Sequence, residues 1–381
     1  MDPIHTTDEH RILREQVRRF VENEVVPYGN AWELEGKVPR EVYRRMGELG
    51  FLGMRCPVEY GGSDLDALAM VVFAEELAKC TYGGFTMSIM VHTDMASPHL
   101  VHSGTEEQLA RYVPGVISGE IITAIAVTEP DAGSDVQGLR TAARRHGNGW
   151  MLNGAKVFIT NGVYGNLLIV AARTDLEAKP SRGTSMFLVD TDTPGVTIAK
   201  KLDKMGWRCS DTAELVFEDV KLPADALLGE QHRGFYEIMK NFQNERLAAA
   251  AIYVGEATKA LELTLDYVNT RKAFGGVLWD KQAIRQRLAM LAGQVEAFRH
   301  LVYHTAWMDS KGADCVKEVS MAKAWGGELV NKVLFACQQF HGGFGYMREA
   351  AIERMVRDGR VHTIGGGATE VMLEEVAKRM V

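Results

Sequence analysis

The sequence predicts a mainly α-helical protein with a β-domain set into its middle, on three observations. Residues 1–120 repeat apolar side chains at helical spacing. Residues 121–230 break into short β-branched runs bounded by turn residues. Residues 231–381 return to long runs rich in Ala and Leu. A chain of 381 residues exceeds one ordinary hydrophobic core, so several packed units are expected. The three stretches give a helical domain, a sheet domain and a helical bundle.

Taken in order, Thr6 and Glu9 have capping-box spacing. Behind them Leu13, Val17, Phe20, Val21 and Val25 form an amphipathic stripe. Helical runs follow over residues 41–49, 65–78 and 109–117, with a turn-rich Pro57-Val58-Glu59-Tyr60-Gly61-Gly62 between the first two. Strands are expected within 121–128, 157–160, 167–172, 185–189 and 215–217, forming an antiparallel sheet or small barrel. Asn153-Gly154 reads as a hairpin turn, because both residues tolerate positive φ. After Gly229, residues 235–270 read as one long helix or two abutting ones. Residues 281–310, 317–339 and 369–380 supply further helices of an antiparallel bundle.

Composition narrows the function. A net charge of −7 argues against a nucleic-acid binder, which needs a basic surface. Cys56, Cys80, Cys209, Cys315 and Cys337 are scattered without a CxxC pair, so neither disulfides nor a zinc knuckle are expected. No apolar run is long enough to span a bilayer. Asp2, Asp8 and Glu9 stand where a basic leader would lie. A cytoplasmic location is expected, or the mitochondrial matrix if a leader was removed.

No GxGxxG opens a βαβ unit, so a Rossmann site is unsupported. Gly342-Gly343-Phe344-Gly345 and Gly365-Gly366-Gly367 flank helices and read, on spacing alone, as helix ends. His300 and His304 are one turn apart but lack a third ligand, so no metal is expected. The segment Ala126-Val127-Thr128-Glu129-Pro130-Asp131-Ala132-Gly133-Ser134-Asp135 is richer: a strand runs into a loop dense in hydroxyls and free amides. It suits a polar heterocycle or phosphate, and equally an ordinary Pro-Asp turn.

That segment resembles a signature of the acyl-CoA dehydrogenase family, and the likeness extends along the chain. Asn153-Gly154-Ala155-Lys156-Val157-Phe158-Ile159-Thr160-Asn161-Gly162 resembles the family's second flavin segment. Met205-Gly206-Trp207-Arg208-Cys209-Ser210-Asp211-Thr212, then Val216-Phe217-Glu218-Asp219-Val220, resembles the close of its middle domain. Arg271-Lys272-Ala273-Phe274-Gly275, Gln339-Phe340-His341-Gly342-Gly343-Phe344-Gly345-Tyr346 and Arg357-Asp358 are similar to its C-terminal half.

The resemblance implies an N-terminal helical domain, a middle β-domain and a C-terminal four-helix bundle. It implies an FAD-dependent oxidoreductase that converts an acyl-CoA to the trans-2-enoyl-CoA and passes electrons to an electron-transfer flavoprotein. Val127, Thr128, Ser134, Phe158, Ile159 and Thr160 would line the flavin, with Ser134 also toward the thioester. Arg271, Phe274, Gln282, Gln339 and Gly343 would meet the adenosine and pyrophosphate of a neighbouring subunit's FAD. A homo-oligomer follows, a tetramer built as a dimer of dimers.

Many members carry the catalytic Glu where this chain has Gly366. A branch that includes isovaleryl- and long-chain-type enzymes takes it from the first long bundle helix, and Gln243-Asn244-Glu245-Arg246-Leu247 resembles that branch. Glu245 is then the base that takes the Cα proton while flavin N5 accepts the Cβ hydride. Arg246, Gly366 and Gly367 would contact substrate, with the Gly366 N–H on the thioester oxygen. Glu370 is a rival carboxylate nearer the flavin. Ala368 departs from the family's usual Thr, so either one flavin hydrogen bond is missing or Thr369 replaces it. The small residues of Thr81-Tyr82-Gly83-Gly84-Phe85-Thr86-Met87-Ser88 are expected to leave room for an acyl chain. Two relatives of the fold compete: a flavin oxidase that uses oxygen, and a DNA-associated member with little activity. Acyl-CoA oxidases are usually longer, and a DNA binder needs a basic groove that the charge does not supply.

Overall fold

Helix α1 (Asp8–Phe20) is capped by Thr7 rather than Thr6. The Thr7 hydroxyl accepts the His10 N–H at 3.5 Å, and the His10 ring accepts the Thr7 N–H at 3.1 Å. An imidazole thus does at the third helical position what Glu9 was expected to do, and the cap moves one residue on. The computed structural model describes residues 5–381, so Asp2 lies outside the described residues. A wide π-helical turn, Val21–Val25, carries the stripe onward and buries Val21 and Val25 beside Val17 and Phe20.

The N-terminal helices continue with α2 (Gly29–Glu35), α3 (Arg40–Glu48), α4 (Ala67–Ala78), α5 (Gly83–Met90), α6 (Ser97–Ser103) and α7 (Glu106–Ser118). Between α5 and α6 the chain makes a second π-helical turn, Val91–Ala96, almost wholly buried.

The middle of the chain folds into strands β1 (Thr123–Ala126), β2 (Ala142–His146), β3 (Gly149–Thr160) and β4 (Leu167–Arg173). After a single helical turn, α8 (Pro180–Gly183), come β5 (Thr184–Asp190), β6 (Val196–Lys201), β7 (Thr212–Leu222) and β8 (Leu227–Leu228). The sheet runs β6-β7-β3-β2-β4-β5-β8, with β1 also on β4. It is mixed, not antiparallel as expected: β4 runs parallel to both β1 and β2. The β2–β3 hairpin stands between β1 and β4 in sequence, so β4 returns alongside β1 in the same direction.

Asn153-Gly154 is not the hairpin. The β2–β3 turn lies at His146–Gly149, and Gly154 sits within β3 at a break in register with β7. Its φ of 148° and a Cβ position only 2.5 Å from the Thr141 hydroxyl explain why glycine is needed there.

The C-terminal part opens with α9 (Gly234–Thr270), one continuous helix of 37 residues. A small hairpin, β9 (Lys272–Ala273) and β10 (Gly276–Val277), leads to α10 (Gln282–Ser310), α11 (Val316–His341), α12 (Ala351–Gly359) and α13 (Thr369–Ala377). The last helix ends three residues before the expected Met380. The middle of α9 is buried on all sides through Ala248, Ala249, Ala250, Ala251, Ile252 and Val254, because α4 packs on one face and α11 on another. Gly255 marks the α4 contact: a Cβ there would lie 2.1 Å from the Glu75 carbonyl oxygen.

One core joins the N-terminal helices to the bundle, and a second fills the sheet around Trp150, Phe187 and Phe217. A third lies between them, where Leu100, Val127, Ile169, Met186 and Ile238 meet. The candidate site borders this third core.

Candidate active site

The first third of α9 lies against the π-helical turn Val91–Ala96. That wide turn presents two main-chain oxygens sideways, and α9 meets both. Asn244 Nδ2 donates to the Asp94 carbonyl at 2.7 Å, and Asn241 Nδ2 to the Met95 carbonyl at 3.0 Å. Asn241 spends its other N–H on Glu245 Oε1, also at 3.0 Å and one helical turn along. Glu245 is 14% exposed and has His99 Nε2 at 4.0 Å. Burial pushes its carboxyl up to about 8, against smaller opposing effects of Asn241 and the Arg246 charge. His99 is buried, which drives its imidazole down to about 4 and keeps it neutral. Glu245 is therefore a nearly buried carboxyl of strongly raised basicity.

Arg246 has its guanidinium 5.2 Å from the Phe242 ring and lies in the fields of Glu245 and of Glu375 on α13. Behind it lies the turn of residues 365–367. Gly366 has φ +63° and open space where a side chain would start, so it brings no carboxylate of its own. Lys323 of α11 grips both sides of this turn. Its buried Nζ donates to the His362 carbonyl at 3.0 Å and to the Gly367 carbonyl. Burial and the Arg246 charge lower its pKa to about 8. The Thr369 hydroxyl is buried with no hydrogen-bond partner among the described residues, beside the unreactive Ala368. Glu370 is exposed.

From the sheet side, β1 delivers the polar loop. Val127 is buried in the third core, while Thr128 is half-exposed and its carbonyl accepts the Val157 N–H at 3.0 Å. Lys156 is wholly buried, donating to the Val127 carbonyl and to Glu129 Oε1, each at 2.8 Å. Glu129 also accepts the N–H groups of Arg140 (2.7 Å) and Thr141 (3.0 Å), so the loop is pinned at both ends. Burial alone would raise the Glu129 pKa, but Lys156 wins and holds it below the ordinary value. Ser134 stands exposed on the loop.

On β3 a second break in register, between Lys156 and Ile159, turns Phe158 outward. Phe158 has φ +61° and is 69% exposed, a strained aromatic displayed on a strand bulge. Ile159 points its side chain into the sheet core, and Thr160 is half-buried.

The remaining expected residues gather at the other end of the bundle. Arg271 ends α9, Gln282 begins α10, Gln339 lies in the last turn of α11 and Gly343 in the 3-10 turn that follows it, all exposed. Tyr267 ties these ends together, stacking on His341 at 4.3 Å and donating to its carbonyl at 3.2 Å. Phe274 sits at the tip of the β9–β10 hairpin with φ +52°, 91% exposed. Arg271 is 26 residues along α9 from Glu245, about 39 Å at ~1.5 Å per residue. The expected residues thus form two separate clusters within one chain.

Gly83 and Gly84 do not open space for an acyl chain as expected. A Cβ at Gly83 would lie 2.8 Å from the Trp207 ring, and one at Gly84 2.8 Å from the Ser210 backbone nitrogen. The glycines admit a middle-domain loop. His300 lies 3.5 Å from Glu296, and His304 stacks near Trp307. Among the described residues no cluster of His, Cys, Asp or Glu has the arrangement of a metal site, and no helix is long and apolar enough to cross a membrane.

The sequence reading missed Asn241, Lys156 and Lys323. Asn241 had a signal, since a polar residue four before a helical Glu can reach it. The two lysines had none, because their partners are main-chain oxygens and a carboxylate distant in sequence.

Comparison with known families decides the class. Residues 7–120 match the profile for the N-terminal domain of acyl-CoA dehydrogenase, 124–220 its middle domain, and 232–381 its C-terminal domain. The chain belongs to the acyl-CoA dehydrogenase family. It is 43% identical over 384 aligned residues to the mitochondrial long-chain specific acyl-CoA dehydrogenase of Rattus norvegicus, covering 98% of this chain and 87% of that one. It is 36% identical to the caffeyl-CoA reductase-Etf complex subunit CarC of Acetobacterium woodii, over 97% of each. Among solved structures, an acyl-CoA dehydrogenase from Geobacillus kaustophilus superimposes with a TM-score of 0.96 at 40% identity, covering 100% of both chains. An FAD complex of PigA gives 0.95 at 25% identity, over 100% of this chain and 99% of that one. This acyl-CoA dehydrogenase is an FAD-dependent oxidoreductase acting on acyl-CoA thioesters.

Its residues suit such a cofactor. The orphaned Thr369 hydroxyl, the displayed ring of Phe158 and the bare backbone at Gly343 and Gly366 each leave a polar or flat surface for a large planar ligand.

Proposed function

We propose that Glu245 is the base of an α,β-dehydrogenation that turns an acyl-CoA into its trans-2-enoyl product. One observation carries this reading. Glu245 is a nearly buried carboxyl raised to about 8, while the alternative position, Gly366, offers only backbone. Its carboxylate takes the Cα proton and becomes the neutral acid that its surroundings favour. Bound FAD supplies the acceptor for the Cβ hydride. The Gly366 N–H donates to the thioester oxygen, where developing enolate charge is worth ~3–4 kcal/mol to a fixed donor. Arg246 and Gly367 flank the substrate. Val127, Thr128, Ser134, Ile159 and Thr160 present polar and backbone contacts to the flavin, Phe158 covers it, and Thr369 and Glu370 approach it from α13.

The second cluster, Arg271, Phe274, Gln282, Gln339 and Gly343, is too far along α9 to reach the same cofactor. We infer that it holds the adenosine and pyrophosphate of a second subunit's FAD, in a tetramer built as a dimer of dimers. Arg271 suits pyrophosphate because its planar fork donates in pairs. An electron-transfer flavoprotein then takes the electrons, a reading supported by the relative named as a subunit of an Etf complex.

The test is Glu245→Gln, assayed with straight, branched and aromatic acyl-CoAs. FAD content and ligand affinity should persist while turnover falls by ~1,000-fold or more. Turnover near wild type would remove Glu245 from the mechanism.

A further inference from the structure

Asn241 is the one donor that the described residues bring to the Glu245 carboxyl, and its own position is set from outside α9. Its amide bridges the Met95 carbonyl of the π-helical turn and Glu245 Oε1, both at 3.0 Å. His99 Nε2 stands 3.4 Å from the same amide nitrogen, which can only donate. Burial keeps that imidazole neutral, so His99 brings Glu245 no positive charge. The turn itself is held one residue earlier, by Asn244 on the Asp94 carbonyl, and Arg55 Nη1 in turn donates to Asn244 Oδ1. The amide row on α9 thus reads the irregular turn, and only its first member touches the base.

We propose that Asn241 is a positioning residue that couples the π-helical turn Val91–Ala96 to the base, fixing the carboxylate's rotamer and stabilising its ionised form. This rests on the reading of Glu245 as base and adds what tunes it. The groups facing Glu245 are few: Asn241 and the Arg246 charge from α9, and neutral His99 from α6. Asp94 and Arg55, 3.9 Å apart, meet α9 at Asn244 and make no contact with the carboxyl among the described residues. A donor to a carboxylate favours the charged form, so its removal must make Glu245 harder to ionise.

Asn241→Leu in the FAD-loaded enzyme tests this, with kcat/KM measured across pH beside wild type and Glu245→Gln. The ascending limb should move up by about one pH unit. At pH above the new limb, kcat should recover to within about threefold of wild type, with FAD content unchanged. Asn241→Ala, which cannot clash with the turn, repeats the measurement should the Leu variant not fold. A limb that stays in place while activity drops equally at every pH makes Asn241 merely structural and overturns the proposal. Full turnover by Glu245→Gln instead removes the base itself, and the proposal with it.

Discussion

Glu245 titrates in the range where enzymes work, and the sign of its effect follows from burial. Its carboxyl moves from an ordinary 4.5 up to about 8 in the folded chain. The role proposed for Glu245 needs the ionised carboxylate, so kcat/KM should rise with pH and level off above about 8. Stability should run the other way. The folded state keeps a proton that the unfolded chain releases, so this contribution is whole below 4.5 and is lost as pH rises through about 8. Glu245→Gln, neutral throughout, should flatten the fall in Tm across that window, which thermal melts at stepped pH will read. The Glu-Arg pair was visible in the sequence only because its motif resembles a family branch; periodicity alone gives a helix-surface pair. Its proposed role as base rests on burial and on the turn at Val91–Ala96, contributed by residues some 150 positions away.

At the scale of elements, the turn before α13 depends on one side chain from α11. Lys323 donates to carbonyls on both sides of residues 365–367, at the cost of burying an ammonium with Arg246 nearby. Lys323→Met should free the turn and blur the Gly366 N–H. Losing such charge-assisted bonds is worth ~1.5–3 kcal/mol, so kcat should fall by roughly 10- to 150-fold. Steady-state kinetics with matched FAD content checks it. Long elements were legible for plain reasons: α9, α10 and α11 bury stripes that recur for many turns. Short ones were not. Gly154 looks like a hairpin glycine because a bulge and a tight turn ask for the same conformational freedom. The parallel pairing of β1 with β4 depends on a crossing that no local pattern records.

Over the whole molecule, Asp358 joins all three parts of the chain. One oxygen accepts the Trp207 N–H at 2.6 Å and the other the Gly83 N–H at 3.0 Å, from the sheet loop and from α5. Asp358→Asn keeps the shape but offers one acceptor and sets an NH₂ against the second N–H. It should cost ~1–3 kcal/mol, seen as a lower denaturant midpoint, with the pH limb of activity unmoved. The Arg357-Asp358 motif was readable as a family mark, but its work as a clasp needed the packed glycines Gly83 and Gly84. The two clusters along α9 belong to this scale too, since the proposed assembly of chains is what would bring both to one cofactor.

The most direct test isolates proton abstraction from everything after it. An acyl-CoA with sulfur at position 3 can lose a Cα proton but cannot surrender a hydride from Cβ. Incubated in D₂O with the FAD-loaded enzyme and followed by proton NMR, its Cα signal should wash out with wild type. With Glu245→Gln, at equal ligand binding, the signal should persist. Washout at the wild-type rate in that variant would contradict the account.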